Sequence, residues 1–334
     1  MISADASPSR LSILSWRHPL PGQVAAWLIE EQGWTGQGPL DLSDRLVVVP
    51  TRQSGRRLRE ALAIAAEVRG QAVFAPVVIV PEELPDLVTE LPETASRDQA
   101  LVAWMRALLD SSPGDYRTVF PVDPPRRDEA WARRLAQRFC RVQSELAAGG
   151  LRMADGLGGD DMPETVRWRE LAALEQAFDA VLAEQNVCAL VKAYRQGLQA
   201  VRVPVGVRVV TMAGCPDPNA VAVRCLEGLV AHVTVEVLAY GPEGEEHAFD
   251  PWGRPRVGYW SNRDLALPAF EAQVRLGADP AQQAKLVAER ALADSKPEEW
   301  LALAVVDPEI AAPLTRELED HGQPVFHPEG DSWR

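Results

Sequence analysis

The sequence is poor in lysine, and this scarcity limits the nucleotide chemistry that the chain can perform. Of its 34 basic residues only three are lysines, Lys192, Lys285 and Lys296. A phosphate-binding loop of the GxxxxGK[ST] type needs glycines for close backbone approach and a lysine for the β- and γ-phosphates. The segment after the first predicted strand reads SWRHPLPGQVAAW, with one glycine, two prolines and no lysine. Because prolines also remove backbone N–H donors, we expect no nucleotide cofactor and no unaided ATP hydrolysis.

Cysteines, metal-ligand clusters and long apolar runs are scarce as well. The four cysteines (Cys140, Cys188, Cys215 and Cys225) form no CxxC pair, and the five histidines show no ligand spacing. We therefore expect no disulfides, no metal site and a reducing compartment, which we take to be the cytoplasm. No apolar run approaches the ~20 residues of a membrane span, so we expect no membrane partner. The start, MISADASPSR, lacks the apolar stretch of a secretory signal.

The formal net charge of the chain is −14. This total disfavours a protein that coats nucleic acid without specificity, since backbone binding rests on positive charge. Local clusters of charge matter more than the sum, however, so the positions of the arginines decide whether phosphates can be bound.

The order of apolar and amphipathic segments predicts an α/β fold. Strands are predicted at 11–16, 46–50 and 73–81, and helices at 21–34 and after a cap at Thr51 or Ser54. Such alternation implies a parallel sheet with right-handed crossovers. We predict a parallel-sheet domain over residues 1–95 and 203–262, interrupted by a helical insertion over 96–202. The start of a second α/β domain is predicted over 263–334.

Several boundaries within this plan are less regular. Asn186 is predicted to cap a helix, 156–163 to be the loosest connection of the helical insertion, and 241–264 to be a linker without periodicity. After the linker we predict a β-α-β-α-β unit with strands at 270–277, 301–306 and 324–326. A unit that stops at its third strand cannot easily close a sheet. We therefore expect a fragment, or a domain that something else completes.

Four segments carry a resemblance to a known family. They read LVVVPTRQSGRRLREAL (46–62), VVTMAGCPDPNAVAVRCLEGL (209–229), FDPWGRP (249–255) and ADPAQQAKLVAERA (278–291). Together with the layout of residues 11–330, they resemble the N-terminal part of AddB-type proteins, the PD-(D/E)XK nuclease family subunits of bacterial double-strand-break repair complexes. The resemblance implies superfamily-one helicase architecture, DNA as a partner, an AddA-like motor subunit, and a nuclease that would follow residue 334.

The chain itself shows no nuclease centre. A site with two carboxylates and a lysine around a metal needs Asp and (D/E)-x-K on adjoining strands. The only acidic-x-Lys sequence, Asp294-Ser295-Lys296, falls in a predicted turn. We therefore assign no catalytic residue to this chain.

The candidate binding residues lie at the start of the second helix. Arg52, Arg56 and Arg59 recur at i, i+4 and i+7, with Thr51 and Arg57 beside them, where the resemblance places a DNA-contacting loop. Guanidinium groups bind phosphate oxygens bidentately, so we predict contact with the DNA backbone at these five residues. The alternatives are a solvated basic face whose arginines pair with nearby glutamates, and a nucleotide site.

Other functional interpretations depend on further segments. A second basic helix, with Arg127, Arg133, Arg134, Arg138 and Arg141, extends the DNA footprint unless Glu129 and Glu145 pair with it. Trp252 and Trp260 either stack on bases or pack between domains. The chain as a whole is a catalytically inactive helicase-like scaffold, a protein-interaction module without a DNA role, or a small-molecule enzyme. For the enzyme, Cys215, Asp217 and Asn219 after a strand are the candidate residues.

Overall fold

The computed structural model describes residues 7–124, 126–157, 164–263, 269–294 and 301–327. The strands among these residues are β1 (Arg10–Ser15), β2 (Leu40–Asp41), β3 (Arg45–Val48), β4 (Val73–Phe74), β5 (Val77–Ile79), β6 (Val209–Ala213) and β7 (Thr234–Gly241). The helices are α1 (Leu20–Glu31), α2 (Arg52–Glu67), α3 (Leu84–Val88), α4 (Arg97–Asp110), α5 (Glu129–Ala148), α6 (Thr165–Glu184), α7 (Leu190–Gly197), α8 (Ala220–Leu229), α9 (Val257–Ser261), α10 (Phe270–Gln273), α11 (Pro280–Asp294) and α12 (Pro308–Asp320). The chain divides into two compact units, residues 1–262 and 263–334.

The first unit is built on a five-stranded sheet with the order β1-β7-β6-β3-β5, and every pair of neighbours is parallel. The α/β prediction is therefore confirmed, including the return of residues after the helical block to the first sheet. The predicted strand over 73–81 is wrong as a single element. It is split into β4 and β5, because Pro76 cannot donate to a strand ladder. β4 pairs instead with β2 in a separate two-stranded sheet.

Alternate side chains of the sheet supply two cores on opposite faces. Val47 packs with α1 and α2 on one face, and its neighbour Val48 packs with α3 and α8 on the other. The side chains of both valines are fully buried. A strand that is apolar on both sides needs helices on both sides, which explains the unbroken apolar run in the sequence.

The helices α4 to α7, which we call the helical block, have their own core. The indole of Trp104 on α4 stacks between Phe139 of α5 and Phe178 of α6, with ring centroids 4.8 and 4.5 Å away. Its Nε1 donates a 2.9 Å hydrogen bond to Gln143 of α5. The prediction that Asn186 caps a helix is wrong: Asn186 has a φ of 58°, just after α6, and Ala189 is the N-cap of α7. A short polar side chain tolerates this left-handed conformation. Of the predicted loose connection, residues 158–163 lie outside the described part.

Residues 241–262 of the predicted linker (241–264) are folded onto the sheet, and Asp264 lies outside the described part. Trp252 is 5% exposed and belongs to the core beneath α8. Phe249 and Trp260 pack against Leu11 and Ile13 of β1. This segment therefore covers the side chains that one face of β1 presents. Neither Trp252 nor Trp260 presents an open ring for stacking on bases: Trp252 is buried, and Trp260 packs edge-on against Phe249 and Tyr259.

The described part of the second unit contains the short helix α10 and two longer helices, α11 and α12, which pack through Ala284, Ala288, Leu314 and Leu318. The strands predicted around them are wrong for the described residues. Residues 270–273 form the short helix α10, and neither 301–306 nor 324–326 is in a strand. The composition of these segments suits strands, but a strand also needs a paired backbone, and nothing in the described part of this unit supplies one.

Among the described residues, no helix is both long enough and apolar enough to cross a bilayer.

Candidate nucleic-acid interface

The sheet has a switch point at the carboxyl ends of β3 and β6. These strands are neighbours, but β3 continues into α2 on one face and β6 continues into α8 on the other. The two connections, residues 49–51 and 214–219, therefore leave the sheet toward opposite faces. Ligands of open α/β sheets bind at such switch points, so the fold brings the two most distinctive sequence segments to the place where binding is expected.

Gly214 and Cys215 form the β6 side of this switch point. Gly214 has a φ of +63°, and a Cβ built on it would lie 2.4 Å from a Leu20 side-chain carbon of α1. Only glycine meets both conditions without strain. The Cys215 thiol points inward and donates a weak hydrogen bond to the Val48 carbonyl, 3.8 Å away.

The connection between β1 and α1 is the segment whose sequence lacks the glycines and lysine of a phosphate-binding loop. The Trp16 N–H donates to the Gly241 carbonyl at 3.1 Å, and the His18 N–H to the Ser15 carbonyl at 3.3 Å. The Arg17 N–H donates to the Ser15 hydroxyl at 3.4 Å. The backbone donors of residues 16–18, which a phosphate would require, are therefore engaged within the protein.

Side chains close the same connection from two directions. The Gln23 amide donates to the Ser15 and His18 carbonyls at 2.6 and 2.8 Å. The single hydrogen of the Tyr240 hydroxyl is shared between the Trp16 and His18 carbonyls, at 3.2 and 2.8 Å. The loop is thus held by hydrogen bonds to both its N–H groups and its carbonyl oxygens.

The β3 side of the switch point carries Thr51 and Arg52. The Thr51 hydroxyl accepts a 3.0 Å hydrogen bond from the Ser54 N–H, so Thr51 is the N-cap of α2. The Arg52 guanidinium donates to Glu83 at 2.8 Å, while the arginine side chain stays 83% exposed. The Val80 N–H and Arg52 together hold the pKa of Glu83 below its usual range. Glu83, which lies 31 residues from Arg52, was not predicted as part of the site.

The remaining predicted arginines of α2 are also engaged. Arg56 and Arg57 share Glu60, at 3.7 and 3.1 Å. Arg59 donates to the Val78 carbonyl of the edge strand β5 at 3.1 Å. The structure therefore brings the five predicted residues together along the first two turns of α2 and assigns Glu60, but not Glu67, as a partner. The four guanidinium groups face two carboxylates, those of Glu60 and Glu83, so the cluster keeps a positive excess.

The second basic helix differs from α2. Arg127 donates to the Leu108 and Leu109 carbonyls at the end of α4, and Arg141 pairs with Glu145 at 3.0 Å. Arg133, Arg134 and Arg138 are exposed and make no hydrogen bond or ion pair with any described residue. The predicted pairing with Glu145 is thus present, whereas a pair between Glu129 and Arg133 does not form among the described residues.

The residues proposed for a small-molecule enzyme do not converge. Burial raises the pKa of Cys215 to about 12, so its thiol stays protonated at neutral pH and cannot act as a thiolate nucleophile. The Asn219 side chain accepts a 2.8 Å hydrogen bond from the Ala222 N–H and caps α8. Asp217 is exposed. Of Asp294-Ser295-Lys296, the last two residues lie outside the described part.

Cavities and ion-binding clusters lend no further support to an enzyme. One groove of about 480 Å³ lies between α1 and α2, and another of about 630 Å³ lies at the amino ends of β6 and β7. Both are away from the switch point. Within the described part of the chain, no three His, Cys, Asp or Glu side chains are grouped as a metal ion would require.

No protein-family model matches this chain, and no curated protein matches it.

Proposed function

We propose that this chain is a non-catalytic, helicase-like scaffold of an AddB-type DNA double-strand-break repair nuclease. In this proposal it works in the cytoplasm, binds the DNA backbone at the start of α2, and docks an AddA-like motor subunit that supplies ATP hydrolysis. The docking and the repair role rest on the family resemblance, while the DNA contact rests on the arginines beside the switch point.

The observation that carries the DNA contact is the positive cluster of Arg52, Arg56 and Arg57 at the carboxyl edge of the sheet. Their side chains are 83%, 61% and 59% exposed. A guanidinium has five N–H donors, and Arg52 uses one of its donors for Glu83. The ion pairs therefore orient the arginines and still leave donors for phosphate oxygens, so pairing with glutamate and binding of DNA are compatible.

The closed β1–α1 connection supports the non-catalytic part of the proposal. A motor must exchange nucleotide at this loop, yet the N–H groups of residues 16–18 already donate hydrogen bonds to protein acceptors. Opening the loop would break the hydrogen bonds from Gln23 and Tyr240 as well. Isothermal titration with Mg²⁺ and a non-hydrolysable ATP analogue should show no binding, and saturable binding that disappears on deletion of residues 16–19 would refute this part.

The DNA contact is tested by the variant Arg52→Ala/Arg56→Ala/Arg57→Ala. Fluorescence anisotropy with labelled single-stranded and duplex oligonucleotides at about 50 mM salt should show weaker binding than for the wild type. The plot of log K against log salt should also become flatter by about 0.7 to 0.9 for each phosphate that the variant no longer binds.

A matched control removes three exposed, ion-paired arginines from elsewhere in the first unit. The variant Arg117→Ala/Arg167→Ala/Arg202→Ala changes the net charge by the same amount, and these arginines pair with Asp123, Glu164 and Glu90. If both variants weaken binding equally, the effect comes from total charge and the α2 site is wrong. If the wild type binds no DNA even at low salt, a protein-interaction module without a DNA role becomes the better interpretation.

A further inference from the structure

A second cluster of arginines lies on the outward face of the helical block. It consists of Arg133, Arg134 and Arg138 on α5, and we call it the α5 patch. All three residues are exposed, and none makes a hydrogen bond or ion pair with a described residue.

The core of the helical block fixes which side of α5 faces outward. Ala132, Ala136, Phe139 and Ala147 are its buried residues. Phe139 stacks on Trp104, which locks the rotation of the helix. Arg134 and Arg138 occupy the opposite side, one turn apart and about 6 Å along the axis, and Arg133 lies about 100° around the helix from Arg134. The fold thus presents Arg134 and Arg138 on one outward face of a packed helix, with Arg133 at its flank.

The charge of α5 differs from that of the whole chain. The chain has 48 acidic residues against 34 basic ones, whereas α5 contains four arginines and two glutamates. Arg134 and Arg138 form a like-charge i, i+4 pair, which destabilises a helix by about 0.2–0.5 kcal/mol. The only described carboxylate paired within this face is Glu145, which binds Arg141. A local excess of positive charge on an acidic chain suits a polyanionic ligand, because backbone binding rests on clustered positive charge.

We propose that the α5 patch is a binding site for the phosphate backbone of a nucleic-acid strand, separate from the arginines of α2. Planar guanidinium groups fit phosphate oxygens bidentately, and their spacing along a helix lets one strand meet several of them. A lipid surface is disfavoured, because a membrane-bound helix turns apolar residues toward the bilayer, and those of α5 lie in the core with Trp104. An acidic polypeptide is the competing ligand that the experiment must separate.

The test compares the wild type with Arg133→Ala/Arg134→Ala/Arg138→Ala, using anisotropy with a labelled oligothymidylate and with a duplex. Alanine favours helix, so far-UV circular dichroism should be unchanged. We expect affinity at about 50 mM salt to fall at least tenfold, and the salt slope for the single strand to flatten by up to about 2. The charge-conserving variant Arg133→Lys/Arg134→Lys/Arg138→Lys should keep most of the salt slope.

The same α2 and control variants, measured in parallel, separate this inference from the proposed function. Loss of affinity in the α5 variant but not in the α2 variant supports the patch and refutes the α2 site. Loss in the α2 variant alone refutes the patch. Competition by poly-glutamate as effective as competition by unlabelled oligonucleotide of equal charge also refutes it. The patch is also refuted as a nucleic-acid site if the wild type binds vesicles of anionic phospholipid and the α5 alanine variant does not.

Discussion

Substitution of Gly214 by alanine probes the geometry of the switch point directly. Gly214 follows β6 with a φ of +63°, and an added Cβ would meet the Leu20 side chain at 2.4, 2.9 and 3.2 Å. The substitution therefore imposes two costs at once, a left-handed conformation on a residue with a side chain and a clash with α1. Because Leu20 begins α1, the clash acts on the same loop that is closed over the β1 end.

The magnitude follows from adding these two costs. A left-handed conformation costs an L-residue about 1–2 kcal/mol. Forcing an extra methyl group into a packed site costs about 1–3 kcal/mol. We therefore expect Gly214→Ala to lower the free energy of unfolding of the first unit by about 2–5 kcal/mol, the lower end applying if the leucine side chain can move aside.

Urea denaturation followed by tryptophan fluorescence measures this loss, since eight of the ten tryptophans lie in residues 1–262. Gly33→Ala is the matched control. Gly33 has the same φ of +63°, but a Cβ there would meet nothing within 4 Å. Its substitution should show the conformational cost alone.

A double-mutant cycle isolates the clash itself. Gly214→Ala combined with Leu20→Ala should recover about 1–3 kcal/mol relative to the sum of the two single changes. The reasoning is refuted if Gly214→Ala costs no more than Gly33→Ala, or if the coupling energy with Leu20→Ala is zero.

Three further changes test other parts of the structure. Burial raises the pKa of Glu236, so the stability that its carboxyl group contributes is lost as the pH rises from the usual glutamate range through the raised pKa. The free energy of unfolding of Glu236→Gln, measured by urea titration, should therefore rise relative to that of the wild type over this pH range. A difference between the two proteins that does not change with pH would contradict this. Iodoacetamide at neutral pH should label half-buried Cys140 faster than buried Cys215, as peptide mass spectrometry would show, and equal rates would count against the buried thiol. Trp104→Phe removes the hydrogen bond to Gln143 and part of the stacked ring, and should cost about 1–3 kcal/mol in thermal or urea unfolding; a loss below about 0.5 kcal/mol would contradict the packing.

Elements set by local chemistry could be predicted from the sequence. Thr51 followed by Ser54 is a local capping signal, and the structure shows that hydrogen bond. The apolar run before it needs burial on both faces, which predicts a central parallel strand. Pro76 carries a local signal too, since a proline inside an apparent strand indicates a break, and a single strand over 73–81 disregards it.

Features that depend on distant partners could not be predicted. Residues 301–306 have the composition of a strand, but whether they form one depends on a neighbouring backbone. Trp252 sits in a segment without periodicity, and only the folded sheet shows that it is core. Glu83 reaches Arg52 across the carboxyl edge of the sheet, and no spacing rule connects residues so far apart. For the same reason the sequence could not show that Arg52, Arg56 and Arg57 of α2 pair with described carboxylates whereas the arginines of the α5 patch do not.

The measurement that tests the central claim most directly is the salt dependence of DNA binding by the wild-type chain. We predict that it binds both single strands and duplexes at about 50 mM salt, and that log K falls linearly as log salt rises, with a slope that reports several phosphate contacts. Binding that does not change with salt, or no binding at low salt in a folded protein, would contradict the claim that these arginines hold a DNA backbone.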